Sequence, residues 1–89
     1  MKVKIADVHE EDGFFQYRDQ LVGQVVETVP GICGPDGVHW GLHRDDYCAA
    51  SVLLERPVYT EPHTYQAGEN VFLYRVKLEE VQSDQPVDG

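Results

Sequence analysis

The run Val71-Phe-Leu-Tyr-Arg-Val-Lys-Leu78 most constrains what this chain can fold into. Alternate residues of a strand point to opposite faces, so Phe72, Tyr74, Val76 and Leu78 would share one face. Val71, Leu73, Arg75 and Lys77 would share the other. One face is apolar throughout and the other turns cationic halfway, which predicts a central strand. Ala67-Gly68-Glu69-Asn70 ahead of it is a turn signal, because Gly and Asn accept positive φ at little steric cost.

Other stretches repeat the pattern. Lys2 to Val8 alternates, with Val3 and Ile5 one way and Lys2, Lys4 and Ala6 the other, a strand with one wet face. His9-Glu10-Glu11-Asp12-Gly13 reads as an exposed charged turn. Phe14-Phe15-Gln16-Tyr17 is too short for a strand, and an Arg18-Asp19 turn leads on. Leu21 to Val29 is apolar and β-branched on both faces, with Gly23 as a bulge or tight bend. Pro30 to Gly37 is a loop, and Pro35-Asp36-Gly37 in it is a turn: fixed φ, then an Asx residue, then free φ. Val38, Trp40 and Leu42 alternate against His39, Gly41 and His43. Residues 46–56 read as a short helix capped by Asp45 or Asp46, but Ser51 to Tyr59 also reads as an extended strand with Pro57 at an edge; the strand is preferred. Residues 1–82 are thus expected to form one domain and residues 83–89 a polar flexible tail. Five to six short strands separated by glycine turns predict an all-β fold, a small SH3-like barrel or sandwich.

Charge narrows the function classes. Sixteen Asp and Glu against seven Lys and Arg give a net charge of −9 on 89 residues. Nucleic acid is a poor partner for such a chain, since binding it requires neutralising phosphates. A larger, more basic protein suits it better, through electrostatic steering. No apolar segment follows the basic start and no run of about 18 apolar residues occurs, so neither a secretory signal nor a membrane span is expected. A cytoplasmic location follows, with Cys33 and Cys48 reduced by default.

Cys33, His39, His43 and Cys48 form the densest set of metal-ligating types, spelling Cys-x5-His-x3-His-x4-Cys. Zinc takes two thiolates and two imidazoles, but known fingers bring their cysteines in close pairs. If residues 38–43 are a strand, His39 and His43 stand about 13 Å apart, at about 3.3 Å per residue. Two imidazoles so placed cannot share one zinc with bonds of about 2.0–2.1 Å. No nucleophile elbow, P-loop or dinucleotide fingerprint is present. The expectation is therefore no cofactor, no metal and no catalysis. A zinc-stabilised or cysteine-based small enzyme built on those four residues is the alternative.

What remains is an interaction domain, an inhibitor, adaptor or accessory subunit of the kind phage and mobile elements encode. Glu10, Glu11, Asp12, Asp45 and Asp46 are its expected contact acids. Most of the nine aromatics are expected in the core, with Tyr47, Tyr59 and Tyr65, near turns, facing a partner. Tyr supplies rigid contact area of this kind. Unpaired edges in so small a sheet leave a homodimer open.

Overall fold

The alternating stretches become strands of a small all-β barrel in a computed structural model that describes residues 1–41, 43–61 and 63–81. The strands are β1 (Lys2–Val8), β2 (Val25–Thr28), β3 (Val38–His39), β4 (Cys48–Leu53), β5 (Val58–Tyr59), β6 (Thr64–Tyr65) and β7 (Asn70–Glu80). A single turn of helix, α1 (Arg18–Leu21), follows a 3₁₀ turn at Phe15–Tyr17. All pairings are antiparallel. The main sheet runs β2-β1-β7-β4-β3, and β2 closes it by also pairing with β4. One edge of β4 is divided along its length: Val52 and Leu53 face β2, while Ala49 and Ala50 face β3. The hairpin β5–β6 lies outside the closed barrel.

Register explains why β7 departs from the simple alternation. Leu73 pairs with Ala50, but Val76 pairs with Cys48, so Tyr74 and Arg75 together oppose Ala49. This is a β-bulge, one extra residue on one strand. It switches the inward frame: Val71, Leu73 and Val76 are buried, whereas Phe72 and Tyr74 are exposed. The expected single apolar face of Phe72, Tyr74, Val76 and Leu78 is therefore corrected. A second irregularity at Ala6 of β1 turns Val8 inward with Val3 and Ile5. Paired strands that both bend in this way can coil around a closed barrel.

The core is made of Val3, Ile5, Val8, Leu21, Val26, Ala50, Val52, Leu73, Val76 and their neighbours, without one aromatic ring. Phe14, Tyr17 and Tyr65 pack against it from outside. The expectation that most aromatics would be core thus fails for a physical reason. The lumen of a barrel narrows as strands are removed, and a four-stranded one suits aliphatic side chains.

Local corrections follow the same logic. Strand rather than helix follows Asp46, but as Cys48–Leu53 and then Val58–Tyr59 with a break between them, instead of one run from Ser51 to Tyr59, and β4 is buried along nearly its whole length. Helix appears instead at 18–21, and Leu21, expected at the head of a strand, is its buried residue. Gly23 lies in the turn before β2 at φ 98°, a conformation that favours glycine. β3 ends at His39, short of the expected Val38–Leu42. Leu42 and the tail at 83–89 lie outside the described residues.

Asp12, Gln24, Thr28 and Ser51 are the buried polar residues among those described, and Gln24 is fully buried. Its Oε1 accepts the N–H groups of Glu55 (2.9 Å) and Arg56 (3.1 Å). Its Nε2 donates to the carbonyls of Gln20 (2.9 Å) and Arg56 (3.4 Å). A buried amide so placed satisfies backbone groups of α1 and of the turn before β5 at once. Gln24→Leu leaves them orphaned and should cost about 2–4 kcal/mol, at about 1–3 kcal/mol per unsatisfied buried group. A shift in the urea midpoint with an unchanged slope checks it.

Candidate functional site

The bulge in β7 frees an N–H from the ladder, and the turn after β1 supplies its acceptor. Asp12 Oδ2 accepts the Arg75 N–H at 2.8 Å, while its Oδ1 accepts the Phe14 N–H at 2.8 Å in an Asx turn. Asp12 is consequently buried. His9 is tied to the same strand, its N–H donating to the Arg75 carbonyl at 3.0 Å. Residues 9–14 are thereby fastened across β7.

The Arg75 side chain completes the joint. Its guanidinium donates through Nη1 to Glu11 and through Nη2 to Asp45 at 2.7 Å. It links the turn after β1 to the loop before β4. Burial pushes the Asp45 carboxyl up, but its hydrogen bonds from backbone and from Arg75 outweigh this and hold it below its usual 3.8. Asp46 takes φ 71°, a left-handed conformation that Asp tolerates better than most residues. The next residue, Tyr47, donates its hydroxyl to Asp7. That bond, more than burial, raises the phenol above its ordinary 10.0. Lys77 sits over the Tyr47 ring at 5.1 Å, and His9 meets that ring edge-on at 5.0 Å. His9 Nδ1 accepts the Glu11 N–H at 3.0 Å, which assigns the neutral ring's proton to Nε2, 3.8 Å from Asp45 Oδ2.

Asp7, Glu10, Glu11, Asp12, Asp45 and Asp46 are therefore gathered at one end of the barrel. Asp7, Glu11, Asp12 and Asp45 are committed to partners within the chain. Among the described residues, no partner engages the side chains of Glu10 and Asp46, and both are exposed. A shallow cleft of about 270 Å³ opens here, lined by Asp7, His9, Glu10, Phe15, Arg18 and Tyr47 among others. In it the Arg18 guanidinium covers the Phe15 ring at 4.0 Å.

Two further clefts flank the same short segment, residues 14–20. One, of about 340 Å³, is lined by Phe14, Tyr17, Glu61, His63 and Tyr65 among others. The other, of about 330 Å³, is lined by Gln20, Arg56, Pro57 and Tyr59. Tyr59 is 62% exposed. Its backbone is clamped by one side chain: Gln20 Oε1 accepts its N–H at 2.7 Å and Gln20 Nε2 donates to its carbonyl at 2.9 Å.

The sequence-predicted site residues divide accordingly. Glu10, Glu11, Asp12, Asp45, Asp46 and Tyr47 come together, with Asp12 and Tyr47 turned to internal bonds. Tyr59 and Tyr65 lie on the β5–β6 hairpin, Tyr65 half-buried. Arg75, Gln20 and Phe15 organise the surface without having stood out in the sequence. Their signal is weak, since each gains its role only from residues far along the chain.

Cys33, His39, His43 and Cys48 do not come together as one metal-binding group. His39 is exposed on β3, whereas Cys48 is buried, its thiol directed at the Val76 carbonyl 3.3 Å away. The His43 ring meets Tyr74 edge-on at 5.3 Å. Both cysteines are free thiols, and burial pushes Cys48 up to about 11, away from the nucleophilic thiolate form. Among the described residues, no group of three or more His, Cys, Asp or Glu is placed to hold a metal ion. Among the described residues, no helix is long and apolar enough to cross a membrane.

Asp12→Ala removes the acceptor of two backbone N–H groups, and a stability loss of about 2–4 kcal/mol is expected, since hydrogen bonds to a charged group contribute about 1.5–3 kcal/mol each. Asp12→Asn should recover part of it, and chemical denaturation of both variants makes the comparison. Comparison with protein-family models, with curated proteins and with solved structures finds no match for this chain.

Proposed function

We propose that this chain is a non-catalytic protein-binding domain, an inhibitor, adaptor or accessory subunit, that docks on a larger and more basic protein. The docking surface is the ridge of residues 14–20 together with the acidic end beside it. One observation carries the reading: three clefts open against the same ridge, one lined by Glu10 with its unpaired carboxylate and another by the clamped, exposed Tyr59. Rigid aromatic anchors ringed by polar groups are how protein interfaces concentrate binding energy. The net charge of −9 supports a basic partner, which it would attract at long range.

Internal bonding supports the same reading. Arg75 holds Glu11 and Asp45 in place, so the acidic end is ordered before any partner arrives. Ordering already present in the free protein lowers the entropic cost of association. Glu10 and Asp46 then supply the charge that partners meet.

The test uses the immobilised chain and a lysate of its native host, with the proteins retained at about 0.05 M and about 0.5 M salt compared, since screening tightens over that range. Retention of a basic protein should fall steeply with salt. It should also fall at least tenfold for the double variant Glu10→Lys, Asp46→Lys, whose thermal melting should match that of the unaltered chain. Identical retention by both forms at both salt concentrations would overturn the proposal.

A further inference from the structure

The cleft between the ridge and the β5–β6 hairpin has its own chemistry. Phe14, Tyr17 and Tyr65 are set against the core, so their rings are positioned by burial. Phe14 meets Tyr65 at 5.4 Å and 66°, and His63 meets it at 4.5 Å and 84°. Rings crossed at such angles present walls in different directions, rather than one flat platform. Glu61 stands on the rim, and Glu69 lies 3.6 Å from His63 Nε2. At about 340 Å³ the space lies at the small end of the range for ligand pockets, about 300–1,000 Å³, and has room for one long side chain.

Two other rings of this chain show what their faces attract. Phe15 is covered by Arg18 and Tyr47 by Lys77, both within the range of a cation–π contact. Among the described residues, no Lys or Arg lines the cleft of Phe14, Tyr17 and Tyr65. Ring faces are electronegative, and here they come with carboxylates but without a cation.

We infer that this cleft is the receptor for one lysine or arginine side chain of the basic protein partner. The inference rests on the proposed docking role and names the anchor that role would use. The aliphatic stem of the side chain lies along the rings and the charged head meets Glu61. Such a pocket rejects a neutral isostere, because the rim carboxylate and the ring faces gain nothing from it.

The experiment titrates the intact chain with the N-acetyl methylamides of lysine, arginine and norleucine, followed by proton NMR. The protons next to the lysine and arginine head groups should move upfield saturably as they enter the ring currents. Norleucine should bind about tenfold more weakly, the scale of a partly desolvated cation–π contact. Glu61→Gln, an exposed change, should weaken the lysine probe severalfold without altering melting, and Tyr17→Leu should reduce the upfield shift. Equal affinity for norleucine, a shift that never saturates, or indifference to Glu61→Gln overturns the inference. Glu10→Lys with Asp46→Lys should leave probe binding intact. Partner retention unchanged by the double variant and by salt, with probe binding preserved, therefore counts against the docking role alone. Partner retention without probe binding counts against this cleft alone.

Discussion

The one extra residue in β7 is the constraint from which the rest of the molecule follows. Without it, a strand of this composition would carry Phe72 and Tyr74 on the same face as Val76. With it, the lumen receives Val71, Leu73 and Val76, and the rings go outside. A bulge also leaves backbone groups out of the ladder and bends the strand that carries it. Here the freed N–H belongs to Arg75, and Asp12 takes it. The step that fits β7 to a narrow barrel therefore also fixes the turn after β1. The side chain at the same position then gathers Glu11 and Asp45. Closure of the fold and order at the acidic end have one cause.

That coupling explains what the sequence revealed and what it hid. β1 was legible because Lys2, Val3, Lys4 and Ile5 alternate without interruption. The turn at Pro35-Asp36-Gly37 was legible from residue chemistry, and Gly37 does sit at φ 87°. A Cβ there would lie 2.7 Å from the Val29 carbonyl oxygen, so the turn needs glycine on two counts. β4 was ambiguous because a strand buried on both faces has no alternation to detect. The faces of β7 were misread because counting by twos assumes an unbroken ladder, and Tyr74-Arg75 carries no local mark of a bulge. Leu21 looked like the head of a strand because its neighbours Val22, Val25 and Val26 are β-branched. Its burial comes from one helical turn packing on β1 and β5, a tertiary effect that overrides propensity.

The candidate site was legible in its residue types and not in its assembly. Acids at 10–12 and 45–46 stood out as charged turns. Nothing local says that they meet, because the meeting depends on β1 and β4 lying on either side of β7. Nor does local reading separate Asp12, spent on backbone N–H groups, from Glu10, left free two residues away. The spacing of Cys33, His39, His43 and Cys48 is equally silent on faces. Strand pairing sets His39 beside Ala49, and alternation then sends Cys48 to the other side of the sheet.

Glutamine supplies the remaining order, on the side of the β5–β6 hairpin. Gln24 joins the end of α1 to the turn at 55–56, and Gln20, one helical turn earlier, clamps both polar groups of Tyr59. The β5–β6 hairpin contributes few main-chain bonds to the barrel, and an isolated two-stranded hairpin is marginal in water. These two amides, with Val58 buried beneath, are what make it a fixed wall. An amide serves better here than a carboxylate would. It donates and accepts at once, so it can satisfy both an N–H and a C=O of the neighbouring chain. It also adds no further negative charge to a molecule that already carries an excess. The ridge at 14–20 is consequently rigid on both flanks by different means, ion pairs on one and neutral amides on the other. Salt or acid should loosen the first flank long before the second, because screening and protonation act on charges and leave bonds made by neutral amides intact.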